Sequence, residues 1–249
     1  MCGRYAATLP PEMMVELFNL LNSLDYPPRY NIKPTEPIVA IWEKAGRRTA
    51  HFVRWGLVPA WVKDPRDFPL LMNARADTMV DKPAFRDSMK VGRCVIPADG
   101  YYEWMVGPDG VKRPYYITRR DGQTMAFAGL YATWTGPDGK AVDSAAILTV
   151  DPNLDISDVH DRMPAVLPME DVGKWLDTEH VGPRDAAALA RTPPLGFMRY
   201  HMVARRVGSP DAEGPELIRP LTPEEAAADT PAIRPRKKVA AGSGQLDLF

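Results

Sequence analysis

Short runs rich in apolar, β-branched and aromatic residues, at 37–42, 51–57, 93–97, 113–118, 125–133 and 144–150, constrain this chain more than any other feature. Each has strand length, and turn formers punctuate them: "GPDG" at 107–110 and again at 136–139, "RDG" at 120–122. Parallel pairing would need helical crossovers between strands. The chain shows no βαβ alternation and no internal repeat, so the reading is an α+β domain with largely antiparallel pairing and peripheral helices. The helices come from "PPEMMVELFNLLNSL" at 10–24, where Met14, Leu17, Phe18 and Leu21 recur at helical spacing behind a proline start, and from "DKPAFRDSMK", "MEDVGKWLD" and "RDAAALAR". The 26 prolines predict many loops and short elements.

The 249 residues are enough for one good-sized core. A formal net charge of −1 argues against a protein that coats nucleic acid through its overall charge, and leaves room for a local basic groove. Cys2 and Cys94, the two cysteines, cannot build a disulfide framework, which points to a reducing, cytoplasmic setting. No apolar run reaches membrane length, and the N-terminus lacks the regions of a signal peptide. His51, His160, His180 and His201 have no ligand spacing with one another or with the cysteines, so no metal or other cofactor is expected.

The chain begins "MCGRY". Methionine aminopeptidase removes an initiator methionine ahead of a small residue, and Cys2 qualifies. The mature chain would then start with an amine and a thiol on adjacent carbons. The amine, with a pKa of about 7.7–8.0, keeps a nucleophilic fraction at neutral pH. The thiol is a strong nucleophile in its own right. An aldehyde condenses with such an amine to an imine, and the thiol then closes a five-membered thiazolidine, an intramolecular step that proximity favours. A small buried residue near a frayed end is the plainer alternative. Three further segments set polar residues in apolar surroundings: Asn73 and Arg75 in "LLMNARADT", on one face if extended; Glu103 between aromatics in "PADGYYEW"; His160 and Arg162 in "VHDRMPAVL". A desolvated Glu103 could act as a general acid or base. Taken singly, each also fits a strand-edge amide, a solvated glutamate or a satisfied histidine.

As an ordered set, "MCGRY", "NARADT", "GYYEW", "ILTVD" and "HDRMPAVL" strongly resemble the SRAP family, the SOS response-associated peptidases or abasic-site processing proteins. The resemblance runs from about residue 2 to 221 and implies a single domain with a barrel-like β core. It also implies covalent capture of abasic sites in single-stranded DNA as a thiazolidine on the N-terminal cysteine. Carried over by motif, Cys2 supplies both nucleophiles, Glu103 shuttles protons during ring opening and imine formation, His160 assists at the sugar oxygen, and Asn73 holds the terminus or sugar. Thr149 lines the pocket, and Arg4, Arg75 and Arg162 grip flanking phosphates, contacts that position a strand without reading its sequence. The loops "NIKPTEP", with Pro34, and "PAWVKDP", with Trp61, pack on unstacked bases. Many relatives carry two adjacent tryptophans in the second loop, where this chain has Val62 after Trp61, and the stretch leading to Asn73 is longer through "DPRDFP".

Beyond residue 221 the composition turns to Pro, Ala, Gly and charge, so 222–244 reads as a disordered linker. Apolar residues return in "QLDLF", where Gln245, Leu246, Leu248 and Phe249 resemble the peptide with which bacterial proteins dock into the sliding-clamp pocket. Two other function classes fit the same features: a peptidase or autoprotease using the N-terminal cysteine, and a non-catalytic module that binds single-stranded DNA and the clamp.

Overall fold

The computed structural model describes residues 2–229. In chain order the elements are β1 (Tyr5–Ala7), α1 (Pro11–Phe18), β2 (Arg29–Ile32), β3 (Pro37–Lys44), β4 (Arg47–Trp55), β5 (Asn73–Arg75), α2 (Pro83–Val91), β6 (Arg93–Ala98), β7 (Gly100–Val106), β8 (Lys112–Arg119), β9 (Met125–Thr135), β10 (Ala141–Val150), β11 (Met163–Pro164), β12 (Val166–Leu167), α3 (Met169–Leu176), α4 (Pro183–Ala187), β13 (Met198–Met202) and α5 (Pro223–Ala228). Short 3-10 turns sit at Pro65–Asp67, Arg205–Gly208 and Pro215–Ile218.

Strands β10, β4, β3, β6 and β9 follow one another, and β9 pairs back onto β10, so the sheet closes into a barrel. Closure removes the exposed edges that an open sheet of this size would leave. Pairing is antiparallel throughout except where β10 runs parallel to β4 and to β5. A second sheet, ordered β13-β8-β7-β1-β2, packs one face on the barrel. Strand alternation decides what each face holds. Tyr5, Tyr101 and Ile117 join Trp55, Phe127 and the barrel aliphatics in one large core. Ala6, Tyr102 and Tyr116 point the other way and are covered by Val203, Val207, Ala212 and Leu217 of the C-terminal segment. The α+β, barrel-like reading of the sequence holds.

Two local expectations need correction. The helical spacing of 10–24 ends early: Asn19, at φ 51°, closes α1 in the left-handed conformation, with its N–H on the Glu16 carbonyl. Asn22 then pairs with the edge of β4, accepting from Ala50 N–H and donating to Ala50 O, both at 2.8 Å. This tertiary pairing outweighs the apolar periodicity. The stretch expected as linker also begins as structure, because Thr222 and Glu225 form a reciprocal capping box that starts α5. Residues 230–244 of that linker, and the "QLDLF" peptide with Gln245, Leu246, Leu248 and Phe249, lie outside the described residues.

A candidate active site where the second sheet meets the barrel

Cys2 leads into β1, whose antiparallel pairing with β7 sets Tyr5 opposite Tyr101. Glu103, two residues along β7, shares the core-facing side with Tyr101 and is 4% exposed. On the barrel side, β5 lies parallel to the end of β10, pairing Asn73 with Ile147 and Arg75 with Thr149. Asn73 Nδ2 donates to the Cys2 carbonyl at 2.9 Å, tying the start of the chain to the barrel. The loop after β10 brings in His160, whose Nε2 stands 3.8 Å from Glu103 Oε2. Cys2, Asn73, Glu103 and His160 therefore meet, from four separate segments.

Electrostatics in this spot follow from burial. The Cys2 thiol, 1% exposed, is pushed far above the usual thiol range by desolvation and further by the Glu103 charge. Glu103 is itself raised, mainly by burial, with His160 acting against the shift. A carboxyl raised in this way holds its proton to higher pH than an exposed glutamate does, so it can both donate a proton and take it back. The His160 Nδ1 atom lies 3.0 Å from the Arg162 amide nitrogen and 2.8 Å from Asp161 Oδ1. Neutral, this nitrogen accepts from the amide; protonated, it donates to the exposed Asp161 carboxylate. The ring thus links a buried acid to a solvated one.

The expected DNA-contacting residues fall into separate groups. Arg162 is buried, and its guanidinium donates to Asp151 and to the Thr149 carbonyl, both at 2.5 Å, so it braces the loop that carries His160. Thr149 is buried beneath it. Arg75 is exposed and pairs with Asp77 at 2.7 Å. Arg4 points to the opposite face of the second sheet, donating to Asn31 Oδ1 at 2.9 Å and to Gly208 O at 3.1 Å. Pro34 occupies the second position of a tight turn in which Glu36 N–H returns to Lys33 O; Thr35, next along, is exposed and has φ 76°. Trp61 is 54% exposed and meets Phe68 edge-on, with ring centroids 5.5 Å apart. Val62, where a second tryptophan is expected in relatives, is buried.

Sequence reasoning missed Tyr101, which reads as one aromatic among several, and the acids Asp151 and Asp161 that engage Arg162 and His160. Their proximity to the motifs in sequence was the available signal. Cys94 is buried in the barrel, where desolvation raises its thiol. Among the described residues no cluster of His, Cys, Asp and Glu could hold a metal, and no helix is long and apolar enough to cross a membrane.

Comparison with known proteins gives the family of the chain. Residues 1–210 match the model of the family described as SOS response associated peptidase (SRAP). The chain is 35% identical over 221 residues to the abasic site processing protein YoqW of Bacillus subtilis (strain 168), covering 88% of this chain and 99% of that one. It is 31% identical over 263 residues to the abasic site processing protein HMCES of Xenopus tropicalis, covering 88% and 78%. A crystal structure of a Bacteroides thetaiotaomicron protein shares the fold, with a TM-score of 0.79 at 24% identity, over 89% of this chain and 100% of that one. The chain is a member of the SRAP family.

Proposed function

We propose that this protein processes abasic sites in single-stranded DNA by cross-linking to them covalently through Cys2, after loss of Met1, and so shields the lesion during replication. The observation that carries the reading is the meeting of Cys2 with Asn73, Glu103 and His160 at one buried spot. The names of the relatives YoqW and HMCES, both abasic site processing proteins, support the substrate.

The chemistry follows from the protonation states. The abasic sugar is a cyclic hemiacetal that opens to an aldehyde. The Cys2 thiol is held protonated by burial, so the α-amine is the group that meets the aldehyde first. Its addition gives a carbinolamine. Glu103, kept toward its neutral form, protonates the leaving hydroxyl, and water departs to leave the N-protonated imine and a Glu103 carboxylate. That carboxylate takes the thiol proton as sulfur adds to the imine carbon and the C=N π pair settles on nitrogen, which keeps the proton it already carries. The sum is one aldehyde plus one aminothiol giving one thiazolidine and one water. His160 exchanges protons with Glu103 and, through Asp161, with solvent. Exposed Arg75 would position a flanking phosphate and Arg4 a phosphate passing the far face of the second sheet, while buried Arg162 and Thr149 would line the pocket wall and Pro34 and Trp61 would support unstacked bases.

For the C-terminal peptide the same reading is a sliding-clamp anchor, with Leu246, Leu248 and Phe249 as buried contacts and Gln245 as the polar one. Tethering to the clamp would raise the local concentration of the domain at exposed template. Equal recovery on clamp resin with and without the last five residues would remove it.

The main test is incubation of mature protein with single-stranded DNA carrying one abasic site. A denaturant-resistant adduct is expected, with intact mass equal to protein without Met1 plus one strand minus one water. The adduct should vanish in Cys2→Ala and when the α-amine is blocked. A peptidase, or a module that only binds, gives no adduct, and that result overturns the reading.

A further inference from the structure

Burying a hydroxyl with no partner costs about 1–3 kcal/mol, so an orphaned one in a folded core calls for an explanation. Tyr101 is fully buried, and its Oη has no hydrogen-bond partner. Asn73 Oδ1 and Arg162 Nε are also buried without partners, in residues whose other atoms are already engaged at this site. Other phenols on the same sheet are not left this way: Tyr102, one residue on and facing the other side, donates to the Tyr30 carbonyl at 2.6 Å.

The fold aims Tyr101 at the chemistry. It shares the inner face of β7 with Glu103, stands opposite Tyr5 of the strand that Cys2 leads into, and lies in the same packed cluster as Cys2. Its ring is fixed edge-on against Phe127, with centroids 6.1 Å apart. Burial pushes its phenol up, and the nearby Cys2 and Glu103 side chains add to the shift.

We propose that Tyr101 is a specificity-determining residue: its hydroxyl donates a hydrogen bond to a hydroxyl oxygen of the ring-opened sugar, so the site selects a hydroxylated aldehyde over a plain alkyl one. This rests on the covalent-capture reading above and adds the substrate feature that reading leaves open. A site built with a buried polar group rejects analogues that leave that group unpaired far better than an apolar pocket rejects an extra hydroxyl. The unliganded protein carries the orphan; a sugar relieves it, and an alkyl chain does not.

The experiment compares adduct formation by intact mass with two small aldehydes, 2-deoxyribose and pentanal, using full-length protein shown by mass to lack Met1. The readout is the ratio of their second-order rate constants. Tyr101→Phe is expected to lower the deoxyribose-to-pentanal ratio about tenfold, the effect of one hydrogen bond in a buried site. Its melting temperature should equal or exceed that of the parent, since the substitution removes only an unpaired hydroxyl. Tyr102→Phe is the control: it breaks a formed hydrogen bond and should lower the melting temperature with the ratio unchanged. An unchanged ratio in Tyr101→Phe overturns the inference and leaves covalent capture standing. An equal drop in both variants overturns it too, as a general packing effect. Absence of any adduct with either aldehyde in the parent protein overturns the covalent-capture reading itself, and this inference with it.

Discussion

The imidazole of His160 bridges two carboxyls of opposite character, standing 3.8 Å from buried Glu103 at Nε2 and 2.8 Å from Asp161 at Nδ1. Asp161 is 87% exposed on its side chain, so the ring stands between a buried carboxyl and a solvated one.

Glu103→Gln should separate stability from chemistry. The Glu103 pKa is raised in the folded state, mainly by burial, so the native protein holds this proton more tightly than the unfolded chain. Its contribution is therefore most favourable at acid pH and is lost as pH rises through the folded-state value. A neutral amide avoids that loss. The melting temperature of Glu103→Gln relative to the parent should rise as pH climbs from the usual glutamate range and level off above the folded-state value, while cross-linking slows about a hundredfold with DNA affinity retained. A flat stability difference across that range would contradict the burial argument; an unchanged rate would remove the acid–base role.

Asn73→Ala should lower stability by about 1 kcal/mol through loss of the amide's hydrogen bond to the Cys2 carbonyl. Cross-linking should fall more than binding does, because the terminus is no longer held. Denaturant titration and anisotropy with an undamaged strand measure the two effects independently.

Thr35→Gly should stabilise the protein. A threonine at φ 76° is strained by about 1–3 kcal/mol, and Thr35 is exposed, so little contact is lost on substitution. Glycine's larger unfolded-state entropy offsets about 0.5–1 kcal/mol of this. A net gain of about 1 kcal/mol is expected, read as a higher urea midpoint at constant slope; a lower midpoint would mean that the side chain holds the turn. If the strain serves DNA contact, affinity for single strands drops in the same variant.

Arg93→Ala should be severely destabilising, by about 3–5 kcal/mol. This guanidinium is 1% exposed and donates to the carbonyls of Met89, Trp175, Asp177 and Val181, gathering the ends of α2 and α3. Arg93→Lys should recover only part of the loss, since a point charge cannot reach four acceptors arranged for a planar fork. Equal melting temperatures for the lysine variant and the parent would show that charge alone suffices.

The strand runs were legible because turn chemistry and β-rich composition agreed, and each of them is a strand in the barrel or the second sheet. What escaped was set by long-range pairing. β1 is three residues long and has no pattern of its own; its pairing with β2 and β7 makes it a strand. Asn22 shortens α1 through β4, a contact no local periodicity encodes. The residues around Cys2 could be picked out because their types suit aldehyde chemistry and recur in order. The engagement of Arg4 by Asn31, of Arg162 by Asp151 and of Arg75 by Asp77 could not, because charge in sequence does not say which acceptor a guanidinium will face.

The burial of Cys2, 1% exposed and tied through its carbonyl to Asn73, bears on how the protein can be handled. An affinity tag or fluorescent fusion placed ahead of Cys2 would keep its nitrogen in a peptide bond and so remove the free amine that the proposed chemistry needs. Purification handles belong elsewhere, and an N-terminally tagged preparation that forms no adduct says nothing about the native molecule.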